Sequence, residues 1–258
     1  MASSLYDVIV VGAGVAGSAM AHALASRPRL RPLRIAVVER SLSEPNRIVG
    51  ELLQPAGVAA LQRLGMEACI EGIGAISVRG YAVINNGQSV EIPYPVGRDG
   101  RSFRHGRFVG ALRSVAKGNP NIDFIEGSVM ELLESPRTQK IIGVRIIAAA
   151  QLTKTENEFS IYASLVIVAD GCFSNFRSIV LGGNACAPVT QSYFVGIILN
   201  NVALPVARHG TVILSDGHQP VLLYQVSEHD TRMLVDVKYP LPDDLKVCSF
   251  WFCVSFSR

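Results

Sequence analysis

The chain has no run of Lys or Arg. Its 24 basic and 21 acidic residues leave a net charge of +3, and without a basic stripe the electrostatic footprint of a nucleic-acid binder is missing. DNA and RNA are therefore not expected partners. Paired CxxC spacings are absent as well: Cys69, Cys172, Cys186, Cys248 and Cys253 are scattered and odd in number, and His22, His105, His209, His218 and His229 show no ligand spacing. No metal site is expected, and reduced thiols are the default. No apolar stretch reaches the roughly 20 residues of a membrane-spanning helix. The run at residues 8–11 stops at a glycine, and VCSFWFCVSF near the end is only about half that length. That tail reads as a buried or edge strand or a segment touching a bilayer surface. The first five residues are too short for a signal peptide, so no N-terminal anchor is expected. Internal repeats and low-complexity linkers are also lacking.

What the chain does have is apolar material: 49% of its 258 residues are hydrophobic and 17% charged, enough for a globular core. Residues 6–11 form a β-branched run ending in a glycine cluster, and the alanine-dense residues 15–25 follow as a helix. Pro28 and Pro32 bracket the link to a second apolar run at 33–38, which completes a βαβ unit and implies a parallel sheet. Residues 54–64 and 108–116 read as helices ending at Gly65 and Gly118. Asn86-Gly87, between runs 81–85 and 88–92, predicts an antiparallel hairpin with a type I′ turn. Further strands are expected at 122–126, 141–148, 159–162, 165–169, 193–199, 221–225 and 233–237. Exposed turns are expected at 135–140 and 153–158.

The chemistry begins at Gly12-Ala13-Gly14-Val15-Ala16-Gly17. In such a loop the first glycine permits the tight turn, the second lets backbone approach a pyrophosphate, and the third lets helix and strand pack closely. The helix N-terminus meanwhile offers free N–H groups and partial positive charge. Glu39 closes the second strand 22 residues after Gly17, where its carboxylate can accept from both ribose hydroxyls of an adenosine and would repel a 2′-phosphate. This argues against NADP in that site but does not separate FAD from NAD.

Later segments bear on that choice. The runs VERSLSEPNRIVGELLQPAG (38–57), GYAVINNGQSVEIPYP (80–95), HGRF (105–108) and VADGCFSNFR (168–177) resemble the FAD-dependent monooxygenases and, within them, the squalene monooxygenase (squalene epoxidase) family. Asp170, Gly171, Ser174 and Arg177 match the superfamily's DG motif. The resemblance covers about residues 6–246. It implies an α/β fold: a doubly wound, Rossmann-like FAD-binding domain at 1–80 and 105–182, with an inserted antiparallel substrate layer at 81–104 and 183–246. Residues 247–258 form an atypical apolar tail. It also implies that Gly12, Gly14, Val15, Ala16 and Gly17 lie along the FAD pyrophosphate, and Glu39 and Arg40 at the adenosine. Arg47 and Leu52 would lie near the flavin, Arg107 and Val129 on the FAD path, and Asp170 and Gly171 by the ribityl and phosphate chain. Tyr81 and Gln54 would line the substrate cavity. No side chain is assigned a catalytic proton transfer, because oxygen chemistry belongs to the flavin; His105 is read as structural.

The implied reaction uses FAD, NADPH as reductant and O2 to convert squalene to 2,3-epoxysqualene in sterol biosynthesis, with an electron-donating reductase, peripherally at the endoplasmic reticulum membrane. The family's second FAD motif, centred on GDA, and its C-terminal hydrophobic helices have no counterpart here, so a C-terminally truncated chain is expected. Two other readings stay open: another FAD hydroxylase of the same fold acting on an aromatic substrate, and a non-catalytic FAD-domain fragment.

Overall fold

The computed structural model describes residues 5–148, 158–182, 189–240 and 254–255. The expected turn at 153–158 lies outside these residues except for Glu158, as do Cys186, Cys248, Cys253 and all of the tail but two residues. In chain order the strands are β1 (Leu5–Val11), β2 (Ile35–Glu39), β3 (Leu52–Leu53), β4 (Ile76–Val78), β5 (Gly80–Asn85), β6 (Gln88–Pro93), β7 (Gly100–Ser102), β8 (Ile122–Glu134), β9 (Ile141–Ala148), β10 (Glu158–Val168), β11 (Ser192–Asn200), β12 (His209–Leu214), β13 (Val221–Gln225), β14 (Asp230–Lys238) and β15 (Val254–Ser255). The helices are α1 (Val15–Ala25), α2 (Pro55–Leu64), α3 (His105–Lys117) and α4 (Arg177–Leu181). The chain falls into two compact units, residues 1–44 with 109–185 and residues 45–108 with 186–258.

The first unit is Rossmann-like. Its parallel strands run in the order β8, β2, β1, β10, with Val8 to Val11 hydrogen-bonded between Ile35 to Val38 on one side and Leu165 to Val168 on the other. A strand paired on both sides and covered on both faces has no polar side to show, and from Val8 onward β1 is buried at every position. Side chains of a strand alternate. Val8, Val10, Ile35 and Val37 accordingly pack with Ala13, Ala21 and Ala116 on the helical face, while Ile9, Val11, Ala36 and Val38 pack with Val144, Ile146, Ile161 and Ala163.

That second face is covered by an antiparallel meander. β8 runs past its parallel partner and pairs with β9, which pairs with the first half of β10, so the five strands close into a ring. The expected strand at 122–126 is therefore the first part of a 13-residue strand, and 159–162 with 165–169 are one continuous strand. Ala163 and Ser164 carry little strand propensity, which is why a break was expected there. Ala163 nonetheless stays in register with Tyr6 and is buried.

The second unit holds a seven-stranded sheet ordered β15, β11, β14, β13, β12, β5, β6, in which only the β12–β5 pair is parallel. The hairpin at Asn86-Gly87 has the expected positive φ angles of 46° and 84°. Val254 and Ser255 form an edge strand against Phe194 and Tyr193. A small sheet, β3, β7, β4, carries the segment leading into α2. That helix starts with Pro55 at its first position and ends at Gly65 in the left-handed conformation, φ 66°. Among the described residues no helix is long and apolar enough to cross a membrane.

Candidate functional site

The glycine loop joins β1 to α1 with each glycine in a different steric role. A Cβ on Gly17 would lie 1.9 Å from the carbonyl oxygen of Gly12, so helix and loop touch backbone to backbone there. Gly12 has φ 100°, and a Cβ on it would meet the carbonyl oxygen of Ala169 at 2.5 Å and Cα of Asp170 at 3.0 Å. The loop and the DG motif are thus neighbours across the β1–β10 pairing. Gly14, which caps α1, differs: a Cβ there would meet nothing within 4 Å. Val15 and Ala16 are exposed beside it. First-turn N–H groups have no intrahelical partner, and the glycine that precedes them leaves open space beside its Cα. The loop has what an anionic diphosphate needs, namely donors, a helix N-terminus and room above one glycine.

Ala13, buried at the centre of the loop, is held through both of its backbone groups. Its N–H donates to Glu39 Oε2 at 2.8 Å, and its carbonyl accepts from Arg113 Nε at 2.8 Å and from Ser18 Oγ at 3.2 Å. Glu39 is therefore engaged with the loop itself, and its Oε1 takes only a long bond, 3.4 Å, from the N–H of Ser41. An ionised carboxylate retains further acceptor capacity for a ribose. Arg113 was not among the residues anticipated from sequence. It is buried, and its Nη1 also donates to Ser43 O at 2.9 Å while Nη2 lies 3.6 Å from Glu39 Oε2. Burial lowers its pKa, and the carboxylates of Glu39 and Glu126 oppose that shift. One signal existed in the sequence. Val109, Leu112 and Ala116 are the buried stripe of α3, and Arg113 sits among them at helical spacing.

Elsewhere in this unit Arg40 is exposed, and Val129 pairs with Ile146 and packs its side chain against the apolar cluster under the meander. Asp170 is partly buried and accepts from the N–H of Asn175 at 3.2 Å. Gly171 has φ 85°, and its carbonyl and that of Cys172 accept from Arg177 Nη2 at 3.2 and 2.8 Å. The DG turn is thus closed by its own arginine.

Arg47, Leu52, Gln54, Tyr81 and Arg107 belong to the second unit. Gln54 Nε2 donates to the Tyr81 hydroxyl at 3.2 Å, which joins the two residues expected at a substrate cavity. Tyr81 packs edge-on against Tyr94, ring centroids 5.8 Å apart. Burial raises the pKa of the Tyr94 hydroxyl, and the neighbouring Tyr81 hydroxyl adds to the shift. Leu52 lies by Tyr81, since a Cβ on Gly210 would contact both. Arg107 is exposed and donates to Ile73 O at 3.3 Å, and Arg47 is exposed. His105 Nδ1 is 3.1 Å from the carbonyl oxygen of Gly50, which can only accept, so that nitrogen carries the proton. Burial depresses the ring's pKa, and the bond to Gly50 partly offsets this.

Beside these residues lies a group that sequence reasoning missed. Glu51, 2% exposed, receives Arg232 Nε at 2.9 Å, Arg232 Nη2 at 3.0 Å and the Tyr224 hydroxyl at 3.1 Å. Burial raises the tyrosine's pKa, and the carboxylate adds to the effect. The arginine grips its carboxylate with two bonds, the geometry in which a buried pair is best compensated. This anchors the backbone between Arg47 and Gln54 to the middle of the large sheet. Cys69, buried, has its thiol pushed up to about 11, and Cys172 is exposed.

The squalene epoxidase family model matches residues 162–250, four residues beyond the limit of resemblance expected at 246. Squalene epoxidase 1 of Arabidopsis thaliana is 46% identical over 238 residues, 90% of this chain and 42% of its own length. Squalene monooxygenase of Mus musculus is 38% identical over 247 residues, 93% of this chain and 41% of its own length. The crystal structure of PqsL, a probable FAD-dependent monooxygenase from Pseudomonas aeruginosa, superposes with a TM-score of 0.74 at 17% identity, covering 91% of this chain and 61% of that one. That likeness establishes the fold. Over nine-tenths of its length the chain is a relative of the squalene epoxidases, and it spans about two-fifths of the length of the relatives it matches.

Proposed function

We propose that the chain carries the adenosine- and diphosphate-binding part of an FAD-dependent squalene monooxygenase. The observation that supports it most is the loop itself: Gly12 and Gly17 have no room for a Cβ, whereas Gly14 opens onto free space at a helix N-terminus that carries no side-chain cap. Gly12, Gly14, Val15, Ala16 and Gly17 would surround the pyrophosphate, with Glu39 and Arg40 at the adenosine, Val129 on the cofactor's path and Asp170 and Gly171 by the ribityl chain. Arg47, Leu52 and Arg107 would serve the flavin side. FAD, reduced by NADPH through a reductase, supplies the oxygen-activating chemistry. The protein's own part is to hold the diphosphate and keep the substrate side apolar. Tyr81, with its hydroxyl fixed by Gln54 and its ring by Tyr94, would line the squalene cavity. The resemblance to the relatives supports squalene and O2 as substrates, and a peripheral place at the endoplasmic reticulum membrane is part of the same proposal.

The test has two parts. The purified chain is mixed with FAD, desalted and scanned for flavin absorbance; retained flavin is expected, and none would refute cofactor binding. The chain is then assayed for epoxide from squalene with NADPH and a reductase, both alone and joined to the segment of the Arabidopsis relative that lies beyond the match. Epoxide from the joined protein is expected. Hydroxylation of phenols in its place, or no turnover by either form, would refute the substrate assignment.

A further inference from the structure

We propose that Arg113 is the positioning residue of the diphosphate loop, turning the peptide between Ala13 and Gly14 so that its N–H faces the bound phosphates. The inference rests on the loop's being a nucleotide diphosphate site. It does not depend on the flavin or on squalene.

Ala13 is fully buried and held from two directions: Glu39 takes its N–H, and Arg113 and Ser18 donate to its carbonyl. A trans peptide points its carbonyl and the next residue's N–H in opposite directions. With the Ala13 carbonyl drawn inward to the guanidinium, the Gly14 N–H is turned the opposite way, away from Arg113. Without the guanidinium, the Ala13 carbonyl keeps, among the described residues, only the longer 3.2 Å bond from Ser18 Oγ.

The same guanidinium reaches three structural pieces at once. Nε bonds Ala13, Nη1 bonds Ser43 just beyond β2, and Nη2 faces Glu39 at the end of β2. A planar fork can satisfy these directions together, while an ammonium is a single point. Its positive charge also lies buried beneath a loop suited to an anion, where screening by water is weak.

Isothermal titration of the 258-residue chain with ADP and with FAD tests this on the wild type, Arg113→Lys and Arg113→Ala. Removal of the guanidinium should weaken ADP and FAD by the same factor, roughly ten- to a hundredfold for loss of charge-assisted bonds. Lysine should recover only part of it. Millimolar guanidinium ion should restore ADP binding to Arg113→Ala and do nothing for the wild type, a rescue that general destabilisation would not show. Should Arg113→Ala fail to fold, Arg113→Lys carries the comparison at a temperature below its melting midpoint. Unchanged ADP affinity in the folded variants, or a loss confined to FAD, would overturn the proposal. Wild-type binding of ADP as tight as that of FAD would count against the flavin reading and leave Arg113 in its role; absence of ADP binding by the wild type would overturn both.

Discussion

Gly14, at the N-cap of α1, and Gly17, in its first turn, should respond to substitution in different ways. In Gly17→Ala the new methyl would start 1.9 Å from the Gly12 carbonyl oxygen and 3.3 Å from Val10 Cγ1. Both Gly12 and the first turn of α1 are backbone with no flexible end to swing aside, so strand and helix must separate. Overpacking of this kind costs roughly 1–3 kcal/mol, and the gain of about 1 kcal/mol from replacing a helical glycine by alanine offsets only part of it. With the overlap as deep as 1.9 Å and against backbone, the cost lies at the upper end of that range, so a net loss of about 2 kcal/mol in the apo protein is expected, with weakened FAD. Gly14→Val meets no such wall: its backbone, φ −76° and ψ −163°, is extended and suits a branched residue. The fold loses at most the preference for glycine at a helix cap, about 1 kcal/mol. The side chain, however, fills the space over the first-turn N–H groups. Loss of two charge-assisted hydrogen bonds at roughly 1.5–3 kcal/mol each removes FAD affinity by more than about a hundredfold. Melting of the apo variants followed by circular dichroism, with FAD titration by flavin fluorescence, separates the two effects. A Gly14→Val protein that keeps wild-type affinity would refute the placement of the diphosphate. A Gly17→Ala protein that melts like the wild type would refute the contact on which the argument rests.

Glu39→Ala should lower apo stability by about 1–3 kcal/mol, because it strips the acceptor from the Ala13 N–H and the counter-charge from Arg113, and should also weaken FAD; unaltered melting would return Glu39 to a ligand-only role. Arg232→Met leaves Glu51 buried without its cation and should cost about 3–5 kcal/mol, whereas adding Glu51→Met should recover much of that loss, and additive losses in the denaturation midpoints would contradict it. For His105 the folded pKa lies below the ordinary 6.5, so the unfolded chain binds more protons in the window between the two. Stability should fall as pH drops from about 6.5 toward that lower value, and His105→Gln should flatten this part of the melting profile; an unchanged slope would show that the ring does not titrate there.

The parts of the fold that were legible are those whose signals are local. Residues 55–64 announce a helix through a proline at the start and a glycine at the end, and Asn86-Gly87 needs only its own two φ angles to define a hairpin. The strands at 141–148 and 221–225 are short apolar runs bounded by polar residues or turns, and their limits were read correctly. The strand at 209–214 was missed: HGTVIL opens with histidine and glycine, and its pairing partner in β5 is more than a hundred residues away. β8 was cut short for a related reason. Its second half, GSVMELLE, is mixed in propensity and extended because β9 returns alongside it. Pairing, not composition, decided both.

The site divides along the same line. Its glycines could be identified because their spacing between strand and helix is a local motif, even though the atoms that crowd Gly12 belong to Ala169 and Asp170, far along the chain. Arg113 and Arg232 could not, since an arginine in an apolar stripe says that a partner exists without saying which. Arg113 lies 100 residues from Ala13, and Arg232 lies 181 from Glu51. Neither partner stands at a motif spacing. In both cases a buried guanidinium holds backbone or carboxylate belonging to a segment that is itself irregular, the glycine loop in one unit and Gly50-Glu51, just before β3, in the other. Such segments cannot satisfy their polar groups by ladder or helix bonds, and buried groups left unsatisfied cost about 1–3 kcal/mol each. A forked cation on a regular helix or strand supplies donors in several directions from one rigid position. The local motif thus states what a loop can bind, and the distant arginine keeps the loop in the conformation that binds it.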